Sequence, residues 1–242
     1  MNVAGRLYGI GLGPGDPELL TVKAVRLIVE TPIIAYFAKA GRRGNARMIV
    51  DRWLPATCEE MPLYYPVTTE IAFDHPDYKA ALSTFYEEAA ERLAERLERG
   101  LDVALLAEGD PLFYGSFMHL FVRLRPRFET QIIPGVTGMA GCSAAACAPM
   151  TWGDDVMSVL PGTLAFGDLV ARLKACDAAV VIKLGRNFDK VKAAFEEAGV
   201  IERAIYIERG TMEHEKIVPL SEFAGSAPYF SLVLLPGQGR RL

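Results

Sequence analysis

Gly9-Ile10-Gly11-Leu12-Gly13-Pro14-Gly15-Asp16-Pro17 and, much later, Ala107-Glu108-Gly109-Asp110-Pro111-Leu112-Phe113-Tyr114-Gly115-Ser116 are the stretches that decide the fold. Each begins in or directly follows a short apolar run, and each is followed by residues with helical spacing. Asp is a strong helix N-cap, and Pro suits the first helical position because its missing N–H would be unpaired there anyway. Glycine lets the backbone turn sharply or lie directly against a ligand. Two such strand-to-helix elbows predict a nucleotide-like ligand along the carboxyl ends of a parallel sheet.

Working outward, apolar periodicity alternates between strands and helices. A strand over about 6–12 leads into a helix over Glu18–Glu30, and Ile33–Phe37 forms a second strand that empties into a basic segment. Asn45–Leu54 reads as a short helix and the proline-flanked Leu63–His75 as loop. A long amphipathic helix runs from Asp77 to about Arg99, where Gly100 supplies a stop. The strand 103–107 and the second elbow precede a helix from Leu112 to about Leu124. Arg125-Pro126-Arg127 reads as the connection between two halves, 1–125 and 126–242. The second half opens with a strand at Thr130–Ile133, followed by a small-residue helix to about Cys147. Strands then recur at Val156–Leu160, Ala178–Leu184, Ala204–Glu208 and Tyr229–Leu235, with helices at Gly167–Ala175 and Phe188–Ala198. The fold class is α/β, two domains with mostly parallel or mixed sheets, one sheet per half.

Composition narrows the function. The chain has 242 residues, half of them hydrophobic, and a net charge of −4, which argues against a general nucleic-acid partner. No long uncharged apolar run predicts a membrane span, and no secretion signal is expected, so the expected setting is the cytoplasm. Cys58, Cys142, Cys147 and Cys176 form no Cys-x-x-Cys pair, so neither disulfides nor a metal site is expected. The three histidines read as structural or surface residues. Lys39, Arg42, Arg43, Arg47 and Arg52 crowd a stretch holding one acidic residue, Asp51. That cluster suits either a solvated loop or a dock for an anionic ligand, since Arg grips carboxylates in bidentate fashion.

The first glycine stretch fails the Gly-x-Gly-x-x-Gly dinucleotide fingerprint, and Pro14 removes an N–H that a pyrophosphate wants. It also lacks a Gly-Lys-Ser/Thr ending. A tight turn alone would explain that stretch, but not the acid, glycine and capping Asp of the second at the end of a buried strand. Both stretches, with Pro134-Gly135-Val136-Thr137, make the chain resemble the tetrapyrrole methylases over essentially its whole length. Pro62–Thr68, Lys183–Asn187, Pro228–Leu232, Glu108 and Tyr114–Met118 look like the branch that methylates C20 of precorrin-2.

The resemblance implies two α/β domains with S-adenosylmethionine in the cleft between them, a reduced tetrapyrrole substrate and a homodimer. It places Pro14, Glu108, Gly109, Asp110, Thr137, Gly138, Leu184 and Gly210 at the cofactor. A tetrapyrrole rich in carboxylates gives the basic stretch a purpose, with Arg43 and Arg47 as substrate contacts and Lys39 and Arg42 behind them. Catalysis is expected to come from positioning and water exclusion. Asp16 and Glu108 are the carboxylates placed to take a proton, and the base is left unassigned. The sequence leaves open whether the substrate carries cobalt. It also leaves open another ring position, a non-catalytic sensor and a nicotinamide oxidoreductase.

Overall fold

β1 (Leu7–Gly11) is buried along its whole length, as is β4 (Val103–Ala107), and the two run parallel with Leu7 opposite Val103 and Gly11 opposite Ala107. Strands without a polar face belong in the middle of a parallel sheet covered on both sides. The computed structural model, described over residues 3–66 and 76–239, shows that arrangement. The chain divides into two compact units, Met1–Thr137 and Gly138–Leu242.

The first unit holds five strands in the order β3-β2-β4-β1-β5, adding β2 (Ile33–Lys39), β3 (Glu59–Tyr65) and β5 (Thr130–Ile133). All pairings are parallel, so every carboxyl end lies on one edge. Alternate residues face opposite ways. Leu7, Val103 and Leu105 pack with Leu93 and Leu97 of α3 (Pro76–Glu98) and with Phe117 and Leu120 of α4 (Phe117–Leu124). Ile10, Ile34 and Leu106 pack on the other face with Leu27 and Ile28 of α1 (Val22–Glu30), and with Ile49 of α2 (Asn45–Ile49). Each fully buried Leu, Ile or Phe contributes about 1.5–3 kcal/mol over leaving it exposed.

The second unit has the order β6-β7-β10-β8-β9, with β6 (Met157–Pro161), β7 (Ala178–Ile182), β8 (Ile205–Glu208), β9 (Lys216–Pro219) and β10 (Ser231–Leu235). This sheet is mixed, because β10 runs antiparallel to both β7 and β8. One face packs on α6 (Phe166–Lys174) and α7 (Phe188–Glu197), and the other on α5 (Gly138–Ala145).

Several sequence expectations shift. Thr130–Ile133 pairs with β1, so it closes the first sheet and the division falls after Thr137 rather than at Arg125-Pro126-Arg127. The start of the expected loop, Leu63–Tyr65, belongs to β3; Pro62 is tolerated because β3 is an edge strand. Residues 67–75 of that expected loop, including Val67, Thr68 and His75, lie outside the described residues. Asp16 caps only a 3-10 turn, Pro17–Leu19, and α1 starts after its own cap, Thr21, whose Oγ1 accepts from Ala24 N at 3.1 Å. Asn45–Leu54 splits into α2 and a 3-10 turn at Asp51–Trp53. The second elbow does not enter a helix at Leu112 either, for α4 begins at Phe117. β9 was hidden from the periodicity because it is only four residues long and exposed at both ends, Lys216–Pro219.

Candidate functional site

Three loops meet at the carboxyl edge of the first sheet. The Gly13 N–H donates to Gly109 O at 3.2 Å and the Gly109 N–H donates back to Gly13 O at 2.8 Å, stitching the two Gly-Asp-Pro stretches together. Gly135, from the third loop, lies against both. A Cβ on Gly11 would sit 2.5 Å from Gly135 N and 2.8 Å from Gly109 O, and a Cβ on Gly135 would run into Gly109 O. Backbone therefore packs on backbone, and only glycine fits. Gly13 (φ 76°) and Gly109 (φ 65°) also take the left-handed conformation that glycine adopts without penalty.

Asp110 is the clamp of this interlock. Its Oδ1 accepts from Leu112 N at 2.9 Å and its Oδ2 from Gly135 N at 3.1 Å, tying the second loop to the third. The side chain that the sequence reads as a helix cap holds two loops instead. Tyr114 follows at φ 56°, half-exposed and outside α4. Ser116, just before α4, accepts from Tyr65 OH at 2.5 Å and from Tyr86 OH at 3.1 Å. Tyr86 in turn stacks on His119 at 4.3 Å. No sequence signal joined Tyr65 and Tyr86 to Ser116 and His119, which lie together at the start of α4.

Glu108 stands next to Gly109. Its Oε1 accepts from Ala46 N, in the first turn of α2, at 3.2 Å. Burial pushes its carboxyl above the usual range, and the bond from Ala46 only partly offsets this. Pro14 lies beside Gly13 in the first loop, and Thr137 ends the third.

Two arginines of the basic segment are already paired. Arg47, with its side chain only 12% exposed, grips Glu60 through Nε–Oε2 at 2.6 Å and Nη2–Oε1 at 2.9 Å, and Asp51 through Nη1 at 2.8 Å. Arg43 shares the same Asp51 oxygen at 2.6 Å while remaining more than half exposed. These arginines hold Glu60 and Asp51 below the usual carboxylate range. Tyr36 OH donates to Glu60 at 2.9 Å and is pushed up to about 12, chiefly by burial.

In the second unit, Leu184 and Gly210 follow β7 and β8, which both run antiparallel to β10, so the two residues share one sheet edge. Leu184 is buried in the core with Phe188. Gly210 lies on α5; a Cβ there would stand 2.7 Å from Cys142 Sγ and 3.1 Å from Cys142 Cα. Burial pushes Cys142 up to about 11. Gly138 opens α5, with no atom within 4 Å of an added Cβ. Sequence reasoning passed over Thr211, a β-branched residue at φ 70° whose N–H donates to Glu215 Oε2 at 2.7 Å and whose Oγ1 is buried without a partner. Strain of this kind gathers at functional sites. Among the described residues no His, Cys, Asp and Glu group is arranged to hold a metal ion, and no helix is long and apolar enough to cross a membrane.

Residues 6–224 match the model of the Tetrapyrrole (Corrin/Porphyrin) Methylases. The chain is a tetrapyrrole methylase. This methylase is 53% identical to a precorrin-2 C(20)-methyltransferase of Sinorhizobium sp, across 96% of each chain. It is 28% identical to the cobalt-precorrin-2 C(20)-methyltransferase of Salmonella typhimurium, across 97% of each. Its fold matches that of the uroporphyrin-III C-methyl transferase from Thermus thermophilus solved with S-adenyl homocysteine, at a TM-score of 0.66 and 22% identity, covering 96% of this chain and 92% of that one. The methylase is thus an α/β enzyme of the methyltransferase class, as its motifs led one to expect.

Proposed function

We propose that this methylase transfers the methyl group of S-adenosylmethionine to C20 of metal-free precorrin-2, giving precorrin-3A in cobalamin biosynthesis. The observation that carries the reading is full-length identity of 53% to the enzyme named for precorrin-2, against 28% to the one named for the cobalt form. The glycine interlock supports it from the chemistry side. Its glycine backbone edge, flanked by Pro14, Glu108, Gly109, Asp110 and Thr137, offers the adenosyl donor a close approach; the donor contacts proposed on the second unit are Gly138, Leu184 and Gly210. The homodimer and the cytoplasmic setting belong to the same reading.

The sulfonium supplies an electrophilic methyl, and the meso carbon of a reduced tetrapyrrole is an enamine-like nucleophile, so the protein need not activate a nucleophile of its own. Its work is to align carbon and methyl and to exclude water, which together can supply several kcal/mol of barrier lowering. Arg43 offers an accessible cation to the substrate's carboxylates, with Lys39 and Arg42 nearby. Arg47, filled by Glu60 and Asp51, takes part by holding α2 against β3. Anaerobic turnover with precorrin-2 and, separately, with cobalt-factor II tests the reading by mass spectrometry. One added methyl on precorrin-2, with the cobalt form slower by at least tenfold, supports it. Preference for the cobalt form overturns the metal-free assignment, and methylation of neither overturns the substrate class.

A further inference from the structure

Methylation at a meso carbon leaves a proton to remove. The enamine π electrons form the new C–C bond, the C–S bond breaks with its pair going to sulfur, and the C20–H bond then breaks to restore the conjugation. The acids of the first unit are differently committed. Asp110 spends both oxygens on Leu112 N and Gly135 N. Asp51 and Glu60 are neutralised by Arg43 and Arg47. Asp16 accepts from Glu18 N and shapes the 3-10 turn. Glu108 differs from all of them: among the described residues its carboxyl is given a single hydrogen bond, from the Ala46 N–H, and no ion pair. It projects from the residue next to Gly109, in the loop read here as flanking the methyl donor. It reaches to the residue preceding Arg47, in the basic segment read as facing the substrate.

We infer that Glu108 is the base that takes the C20 proton after methyl transfer, its carboxylate becoming the carboxylic acid as the C–H pair re-enters the conjugated system. The inference rests on the C20 reading above and adds the catalytic residue which that reading lacks. A carboxyl shielded from water and lightly hydrogen-bonded is a stronger base than a solvated one, which suits removal of a carbon-bound proton.

The test is E108Q, which keeps the shape and can still accept from Ala46 N, together with E108D. If Glu108 is the base, kcat for E108Q falls by about 10²–10⁴-fold, while the Kd for S-adenosylhomocysteine by calorimetry and the KM for precorrin-2 change less than about threefold. E108D recovers part of kcat. A precorrin-2 deuterated at C20 then shows a larger isotope effect with E108Q than with the wild type, because proton loss has become limiting. E108Q turning over within threefold of the wild type, or losing affinity with kcat intact, overturns the inference. Should E108Q fail to fold, E108D carries the same isotope comparison. Were the wild type itself to leave C20 unmethylated, the C20 reading would fail instead, so the two failures are distinguishable.

Discussion

The carboxyl edge of the first sheet and the edge of the second that carries Leu184 and Gly210 solve one steric problem in different ways. On the first sheet glycine makes most of the sharp turns: Gly13, Gly15 and Gly109 take positive φ values, beside Tyr114 at 56°, and Gly11 and Gly135 bring backbone onto backbone. On the second sheet, ordinary side chains are forced into the left-handed region, with Lys183 at 58°, Arg209 at 52° and Thr211 at 70°. The first edge therefore carries strain at Tyr114 while its glycine contacts are intolerant of any added atom. The second stores more strain, and it keeps polar side chains where glycine would have been easier. At Thr211 the strain falls on a residue whose own hydroxyl is buried without a partner.

That contrast can be broken first at Gly135. G135A drives a Cβ into the Gly109 carbonyl and the Gly11 backbone, neither of which is a flexible group. A loss of about 3 kcal/mol or more in urea unfolding is expected, with S-adenosylhomocysteine binding abolished. A variant of normal stability would show that the interlock is looser than described.

R47A has a smaller effect. It strips the bidentate partner from Glu60 and should cost about 1 kcal/mol at neutral pH, discounted for the solvent that still reaches Glu60. The sign of the pH dependence follows from depressed carboxylates. Glu60 and Asp51 contribute stability fully above the unfolded carboxylate range and lose it as the pH falls through their folded pKa values. The gap between wild type and R47A, measured as urea midpoints, should therefore close on acidification. A gap that widens in acid would contradict the network.

The smallest expected change sharpens the other side of the comparison. T211G relieves the strain and should leave stability unchanged or raise it by up to about 1 kcal/mol, while weakening S-adenosylhomocysteine binding. Parallel loss of stability and unchanged affinity would make Thr211 a structural residue only.

Much of this was legible in the sequence. Gly-Asp-Pro after an apolar run announces a strand ending in a sharp turn, and the three motifs do meet at one edge of the first sheet. What the sequence could not convey is where the turn leads. Asp110 looks like a helix cap because the local signal is the same, yet its second oxygen is claimed by Gly135, distant in sequence. The basic cluster looked uncompensated because Glu60, which fills Arg47, arrives on a neighbouring strand. β3 was read as loop at Leu63–Tyr65 because prolines flank it, and an edge strand tolerates them. The division after Thr137 was missed because β5 returns to pair with β1, a long-range choice that leaves no local mark.

The most direct test of the account is where the methyl lands. Incubation of the protein under anaerobic conditions with precorrin-2 and S-adenosylmethionine carrying carbon-13 in its methyl group, followed by carbon-13 NMR of the tetrapyrrole, reads this in one spectrum. The account predicts a single enriched methyl attached at C20. An enriched methyl at any other ring position, or none, would contradict it.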